Sequence, residues 1–331
     1  MPESGNTMPM DFEWTGVQRS WREKAKAFGR ELAEDAAAAD VVMGAARVGI
    51  IDPDADLLAV ALAVEALAGE SPAAGMTLAL HTTTLKARLA KDSLIGALAR
   101  GEAVGALVLS SEDVPTIEDG RLSGRASWVG PITERGIAVV GARQGTHIVP
   151  CGVALDDQRV HVTEVQTSAL RGFVWAYLAF SGAPYVDAGE TTSIMARART
   201  LIACVALGIC NRALRESLAV VRREHGAGGE QTVQGLLADT ATELEAARML
   251  AWKAAARGDD VSLAEGSRAK LAATSAAQAA VVRATQVVGV DSFRYGHVIE
   301  RLTQDVRAIE LFAGRTETLR EAAADAELPR V

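Results

Sequence analysis

The 331-residue sequence predicts an α+β protein that is mainly helical and is built from three successive segments. Apolar residues recur at helical spacing in the first and last thirds, and short β-branched runs separated by Gly, Pro and Asp fill the middle. Alanine supplies much of the 49% hydrophobic content and favours helices. We expect an N-terminal helical domain over 1–103, a small β-barrel or sheet domain over 104–190 and a C-terminal antiparallel four-helix bundle over 191–331.

The N-terminal segment is predicted to form several helices. The first places its apolar residues on one face at Trp14, Val17, Trp21 and Phe28. Asp11 is a candidate cap for this helix, and Asp54 or Asp56 is a candidate cap for the helix in DADLLAVALAVEALAGE. Pro72 and Gly75 are expected to break the pattern before TLALHTTTLKARLA resumes it.

The middle segment contains six short runs that predict strands. They are AVGALVLSS, RLSGRASWVG, GIAVVGAR, HIVPCGVAL, RVHVTEVQ and FVWAYLAF. Their spacing, with turn residues between them, predicts a compact antiparallel sheet or barrel.

The C-terminal segment predicts four long amphipathic helices. Their expected ranges are 195–224, 231–256, 262–288 and 297–324. The GAGG stretch at 226–229 and Gly289 are expected to end the first and third helices, because glycine tolerates the left-handed cap conformation. Long helices joined by short loops predict an antiparallel four-helix bundle.

Composition excludes several classes of protein. The 34 Lys and Arg residues against 42 Asp and Glu residues give a net charge of −8, and the absence of a basic stripe argues against a nucleic-acid partner. The N-terminus does not resemble a secretory signal, and we expect no membrane span because charge or Gly interrupts each apolar stretch. Three cysteines without a CxxC motif and five scattered histidines predict no metal site, and reduced thiols predict a cytoplasmic location.

Several stretches form an ordered series of motifs. In the C-terminal segment they are ARTLIACVALGICNRALRES (198–217), LLADTATELEAARMLAWKAA (236–255), RAKLAATSAAQ (268–278), QVVGVDSF (286–293) and VIERLTQDVRAIELFAGRTETLR (298–320). Upstream, GEAVGALVLSSED (101–113) and GRLSGRASWVG (120–130) extend the series. In order and spacing, from about residue 10 to residue 322, the chain resembles the acyl-CoA dehydrogenases.

This resemblance implies both a cofactor and a reaction. Members of the family use FAD to remove two hydrogens across Cα–Cβ of an acyl-CoA thioester. A carboxylate takes the α-proton while the flavin accepts the β-hydride, and the weak acidity of that proton is the reason a positioned base is needed.

Both positions at which the family places its base are alanine here. In LFAGRTETLR the usual acid is replaced by Ala313, and the alternative position, just before Arg199, is Ala198. No catalytic residue is therefore predicted in this chain. Glu310 and Glu317 are the nearby carboxylates, and each either replaces the base or is simply solvated.

The resemblance also implies candidate flavin contacts, and several of them depart from the family pattern. The candidates are Trp128, Gly130, Arg223, Gln286, Gly289 and Thr316. Gly130 stands where the family has a threonine that faces the flavin, and Val290 stands where it has a second glycine. HGAGGE (225–230) is shorter than its family counterpart, and the Ser-rich loop that lines flavin and thioester has become Ser110–Val114.

Each candidate also has a purely structural interpretation. Trp128 either faces a flavin or packs in the core of the β domain, and Arg223 either contacts a cofactor or is solvated. Gln286 and Gly289 either approach a cofactor or form an ordinary helix end. Arg315 either binds an anion or pairs with Glu310 or Glu317.

The leading functional hypothesis is a non-catalytic subunit of a heteromeric FAD-dependent acyl-CoA dehydrogenase. A homologous catalytic subunit would carry the base and the main flavin site. FAD would be shared with or held by that partner, or be absent from the isolated chain. Such base-less chains resemble partner subunits of bacterial dehydrogenases that act on bulky, steroid-like acyl-CoA thioesters. The alternatives are a flavin-dependent monooxygenase of the same fold and a cofactor-free structural homo-oligomer.

Overall fold

The computed structural model describes residues 13–89, 92–109, 113–223 and 230–328. Helices come first, a set of strands follows, and a second set of helices completes the chain. This order confirms the predicted fold class. One large hydrophobic core runs through both helical parts, and a smaller one lies within the sheet.

The N-terminal helices are α1 (Gly16–Glu31), α2 (Ala38–Val48), α3 (Leu57–Ala68), α4 (Pro72–Leu85) and α5 (Asp92–Ala99). Thr15 caps α1 in a capping box with Gln18, and the predicted cap Asp11 lies outside the described residues. Asp56 caps α3, as one of the two predicted alternatives, and accepts a hydrogen bond of 2.8 Å from the amide of Ala59.

The expected break is found just before Pro72, since α3 ends at Ala68 and α4 begins at Pro72, but the part of the prediction that places a break at Gly75 is wrong. Pro72 is the first residue of α4, where its missing N–H has no helical partner to lose, and Gly75 lies inside the helix. A Cβ at Gly75 would stand 2.5 Å from the Cβ of Ala68, so this glycine lets α4 lie directly against α3.

The middle segment forms one sheet. Its strands are β1 (Val104–Val108), β2 (Thr116–Glu118), β3 (Arg121–Val129), β4 (Gly136–Gln144), β5 (His147–Ala154), β6 (Val160–Val165), β7 (Trp175–Ala183) and β8 (Val186–Asp187). They hydrogen-bond in the order β6-β7-β3-β2-β4-β5-β8, with β1 beside β4. The sheet is mixed rather than antiparallel as predicted, because β1 and β2 both pair with β4 in parallel. The short strands β2 and β8 were not predicted.

The C-terminal helices are α6 (Thr191–Arg223), α7 (Gln231–Ala256), α8 (Leu263–Val288), α9 (Val298–Leu311) and α10 (Thr316–Ala324). The predicted second and third helices agree with α7 and α8, whereas α6 begins four residues earlier than expected. The predicted GAGG break lies outside the described residues. The predicted fourth helix is in fact two helices, because Ala313 and Gly314 have φ values of 57° and 119°, which no helix accommodates.

From α6 to α9, each helix runs antiparallel to the one that precedes it in the chain, so α6 and α8 run in the same direction. Arg199 lies beside Ser267, and Cys210 lies beside Ala276. A Cβ at Gly266 would stand 2.5 Å from the carbonyl oxygen of Ala196, so the two helix backbones are in close contact. By length and hydropathy α6 resembles a membrane span, contrary to expectation, but 94% of its apolar window is buried, which identifies it as the central core helix.

Candidate functional site

The loop 312–315, here called the α9–α10 loop, is the position at which the resemblance places the family's base. Ala313 has a left-handed φ of 57°, and Gly314 follows with a φ of 119°. For Ala313 this conformation is strained, and surrounding contacts must hold it.

A buried lysine supplies the first of those contacts. Lys270, on α8, has no solvent exposure, and its Nζ donates hydrogen bonds to the carbonyl oxygens of Glu310 (3.0 Å), Gly314 (2.7 Å) and Phe312. Burial lowers the pKa of Lys270 to about 7, and the nearby Arg199 acts in the same direction. Three carbonyl acceptors match the three N–H donors of an ammonium group, so Lys270 fixes the backbone of the loop.

A buried arginine supplies the second contact. Arg199, on α6, donates from Nε to the carbonyl oxygen of Ala313 (2.9 Å) and from Nη1 to Oγ of Ser267 (2.8 Å). Burial also lowers the pKa of Arg199. Its neighbour Ala198 is fully buried in the core. Both base positions of the family are thus well ordered, and neither carries a proton acceptor.

The nearby carboxylates have other partners. Oε1 of Glu310 accepts a hydrogen bond of 3.4 Å from Thr316, and its Oε2 lies 3.3 Å from Arg307 and accepts from Gln278. Glu317 is exposed in the first turn of α10. The expected pairing of Arg315 with Glu310 or Glu317 is wrong, because within the described part of the chain Arg315 forms no ion pair at 4 Å or less.

A row of aromatic rings joins the α9–α10 loop to the sheet. The ring of Trp175 on β7 lies 4.9 Å from that of Phe312, 4.6 Å from that of Phe173 and 6.2 Å from that of Trp128. Trp128 itself is 47% exposed, with a φ of 59°, and also contacts Tyr177 at 5.8 Å. Trp128 is therefore a surface residue rather than part of the core of the β domain.

The space beside Gly130 is already occupied. A Cβ at this position would stand 2.5 Å from the ring of Phe173 and 3.1 Å from that of Trp175. These aromatic rings fill the junction between the sheet and the α9–α10 loop.

The remaining candidates lie at the other end of the bundle. Arg223 is exposed at the end of α6, and Gln286 and Gly289 are exposed at the end of α8. Gly289 caps α8 with a φ of 73°, and no described atom lies within 4 Å of the position that a Cβ would take. Val290, beside it, is 84% exposed.

The six candidate flavin contacts therefore form two separate groups. Trp128, Gly130 and Thr316 lie around the α9–α10 loop, whereas Arg223, Gln286 and Gly289 lie at the far end of the bundle. Lys270, which binds the α9–α10 loop, lies 16 residues before Gln286 on α8, and at 1.5 Å per residue this corresponds to about 24 Å along the helix. One copy of the chain does not assemble these residues into a single flavin site, and we assign no reaction step to a flavin here.

Asp305, in the middle of α9, is the most perturbed carboxyl group near this region. Its Oδ1 accepts a hydrogen bond of 2.6 Å from the amide of Leu170, which anchors the loop before β7. Burial raises the pKa of Asp305 to about 6, although that hydrogen bond, Arg301 and Arg171 oppose the rise.

Sequence reasoning missed Lys270 and Trp175 as determinants of the site. A single lysine within an alanine-rich helix, RAKLAA, was the available signal for Lys270, because a buried helix face tolerates a charge only when it is paired. Trp175 lay in a run assigned to a strand, and nothing in its local pattern predicts contact with residue 312. Within the described ranges, no three His, Cys, Asp or Glu side chains come together as a metal site.

Comparison with known proteins assigns the C-terminal part of the chain. Residues 190–328 match the family model described as acyl-CoA dehydrogenase, C-terminal domain. A 3-sulfinopropanoyl-CoA desulfinase of Paraburkholderia xenovorans is 35% identical over 123 residues, or 36% of this chain and 32% of the relative. The mitochondrial short-chain specific acyl-CoA dehydrogenase of Rattus norvegicus is 35% identical over 125 residues, or 36% of this chain and 30% of the relative.

The fold extends the likeness to nearly the whole chain. The structure of a glutaryl-CoA dehydrogenase from Mycobacterium smegmatis in complex with FADH2 superposes with a TM-score of 0.85, covering 96% of each chain at 15% identity. Residues 190–328 therefore form a C-terminal domain of the acyl-CoA dehydrogenase family, whose members bind FAD, and the chain as a whole has the acyl-CoA dehydrogenase fold. The sequence alignments span only about a third of the length of the two relatives named above.

Proposed function

We propose that the chain is a non-catalytic subunit of a heteromeric FAD-dependent acyl-CoA dehydrogenase. In this proposal a homologous partner chain supplies the base and the main flavin site, and the complex desaturates an acyl-CoA thioester between Cα and Cβ. A bulky, steroid-like acyl group is the substrate class we put forward first.

The observation that carries the proposal is the chemistry of the α9–α10 loop. Ala313 and Ala198 cannot accept a proton, and Glu310 is engaged by Gln278, Arg307 and Thr316. Abstraction of an α-proton needs a group within hydrogen-bond reach of the carbon that is attacked. A second polypeptide is the natural source of that group.

The division of the candidate flavin contacts into two groups also favours an oligomer. Residues about 24 Å apart in one chain can serve a common cofactor type when each group faces a different neighbouring subunit. The far end of the bundle also exposes Val290, Phe293 and Tyr295, which are 84%, 73% and 90% accessible. Large apolar side chains that cluster on a surface are typical of subunit contacts.

The test is purification of the chain alone and after co-expression with homologous chains that carry an acid at the position of Ala313. We expect the isolated chain to be nearly colourless at 450 nm and inactive with acyl-CoA thioesters and an artificial electron acceptor. The complex should be yellow and active, with fewer flavins than chains.

Two other outcomes would contradict the proposal. A yellow homo-oligomer that consumes reduced flavin and O₂ would indicate a monooxygenase of the same fold. A colourless homo-oligomer that binds none of the co-expressed chains would indicate a structural role.

A further inference from the structure

A second concave site lies toward the opposite end of α9 from the α9–α10 loop. This cleft of about 300 Å³, here called the arginine cleft, is enclosed by the end of α1, the start of α4, the loop before β7, the middle of α6 and the first turns of α9. Six residues of helix separate Asp305, on its wall, from Leu311 at the end of α9, which corresponds to about 9 Å, and the α9–α10 loop follows beyond that. The cleft is therefore distinct from the base position.

The charged groups that line the arginine cleft are four arginines and three carboxylates. The arginines are Arg30, Arg171, Arg212 and Arg301, and the carboxylates are those of Glu34, Glu70 and Asp305. Four cations against three carboxylates leave an excess of one positive charge when all are ionised. Arg215 binds Glu70, and Glu216 binds Arg212. These two residues add one charge of each sign, so the excess of one positive charge is unchanged. A cationic cleft stands out in a chain whose net charge is −8.

Two of the arginines are available to a ligand. Arg171 forms no ion pair within 4 Å among the described residues, and its guanidinium lies 5.6 Å from the ring of Tyr295. Arg301 pairs with Glu34, whose side chain is 55% exposed. An exposed partner of this kind is held weakly and is readily exchanged for a ligand anion.

The other two arginines are already occupied. Arg30 and Arg212 both approach Glu70, at 3.9 Å and 3.4 Å, and Arg215 binds the same carboxylate at 2.7 Å. Glu70 is largely buried, and although burial raises its pKa, the arginines around it give a pKa below the ordinary value. This network occupies Arg30 and Arg212, which leaves Arg171 and Arg301 as the donors available to a ligand.

Two helix N-termini add to the positive potential of the cleft. Ser71, Pro72 and Ala73 at the start of α4 and Val298 at the start of α9 all line it. Each helix N-terminus carries the equivalent of roughly half a positive charge. The C-terminal end of α1 also lines the cleft and carries the opposite partial charge, so together with the excess arginine the cleft presents roughly one and a half positive charges.

We propose that the arginine cleft binds a phosphate group, with Arg171 and Arg301 as its principal ligands and the α4 N-terminus as a further donor. A phosphate or phosphate monoester carries about 1.5 to 2 negative charges at neutral pH, which matches the charge of the cleft. Its oxygens fit the fork of an arginine guanidinium. The cleft volume is at the lower end of the range for small-molecule sites.

Isothermal titration of the purified full chain tests this assignment at constant ionic strength in chloride buffer, with inorganic phosphate and adenosine monophosphate as separate probes. We expect saturable binding of at least one probe. Arg171→Gln should weaken that binding at least tenfold, whereas Arg320→Gln, the same change on the exposed face of α10, should leave it unchanged. Tighter binding of inorganic phosphate would indicate a free-phosphate site, and tighter binding of the nucleotide a site for a phosphorylated organic ligand.

Glu34→Gln provides a variant that gains affinity. It frees Arg301 without removing a ligand of the proposed site, so we expect a threefold to tenfold tighter complex, a result that a damaged fold would not produce. Absence of saturable binding of both probes to the unaltered chain would overturn the proposal. Equal binding by the Arg171→Gln and Arg320→Gln variants, or weaker binding by Glu34→Gln, would overturn it as well.

Discussion

Replacing Gly266 with alanine perturbs the contact between α6 and α8 on which the candidate site depends. A Cβ at residue 266 would stand 2.5 Å from the carbonyl oxygen of Ala196 and 3.1 Å from Oγ1 of Thr200. The first contact is with backbone, so the two helices must separate by about half an ångström, and a close-packed core resists such a shift. Ser267, the next residue, accepts a hydrogen bond from Arg199, and this bond orients the Arg199 side chain toward the α9–α10 loop.

The expected size of the effect is the difference between two contributions. Overpacking of a core typically destabilises by about 1 to 3 kcal/mol, whereas alanine in place of a mid-helix glycine stabilises by roughly 0.5 to 1 kcal/mol. From the midpoints of these two ranges, Gly266→Ala should therefore lower the free energy of unfolding by about 1 kcal/mol. Gly235 is the matched control, since it lies in α7 with no described atom within 4 Å of its Cβ position. There the same substitution should raise the free energy of unfolding by about 0.5 kcal/mol or more.

Guanidinium denaturation followed by tryptophan fluorescence measures both variants against the unaltered chain. Opposite shifts of the transition midpoint at equal slope are expected, because the substitution is the same and only its surroundings differ. If Gly266→Ala proved as stabilising as Gly235→Ala, the close approach of α6 and α8 would be incorrect.

Three further predictions concern the site itself. Lys270→Met should lower the free energy of unfolding by about 3 kcal/mol, because three carbonyl groups lose a charged donor. In the same denaturation assay, Met in place of the exposed Lys253 should change it by less than about 0.5 kcal/mol. Equal effects of the two substitutions would contradict the role of Lys270. Asp305→Asn keeps the acceptor for the amide of Leu170 but removes a carboxyl whose pKa is raised from 3.8 to about 6. Because the unaltered chain loses stability as pH rises through that interval, the variant should gain up to about 3 kcal/mol of unfolding free energy relative to it between pH 4 and pH 8. A pH-independent difference in unfolding free energy would refute this. Ala313→Glu in the isolated chain should not produce acyl-CoA dehydrogenase turnover, since the candidate flavin contacts remain divided between the two ends of the bundle; turnover after this single change would disprove that account.

Much of the architecture could be predicted because it depends on local periodicity. The bounds of α7 and α8 follow from apolar residues at helical spacing and, for α8, from Gly289 at its end, and six of the strands follow from β-branched runs between turn residues. Where the prediction failed, contacts between distant segments decide the outcome. Gly75 resembles a helix breaker in sequence, but it is a packing position against Ala68, and only the neighbouring helix reveals this.

The candidate site was predictable only in its motifs. The alanines at 313 and 198 follow from the sequence alone, because they replace residues of a recognisable series. The break that divides α9 from α10 depends on contacts from α6 and α8, and no local pattern contains those contacts. In the same way, the distance between Trp128 and Gln286 depends on which end of the bundle each occupies, and this is a property of the tertiary fold.

The contacts of the α9–α10 loop explain how a chain of this family can keep its fold without its base. Lys270 and Arg199 bind the carbonyl oxygens of residues 310, 312, 313 and 314, and none of these hydrogen bonds involves the side chain at position 313. Loss of an acid at this position therefore removes the proton acceptor but leaves the loop conformation and the bundle core unchanged. The conformation of the loop therefore does not depend on the side chain at position 313, which is compatible with the proposed role of a subunit whose base comes from a partner chain.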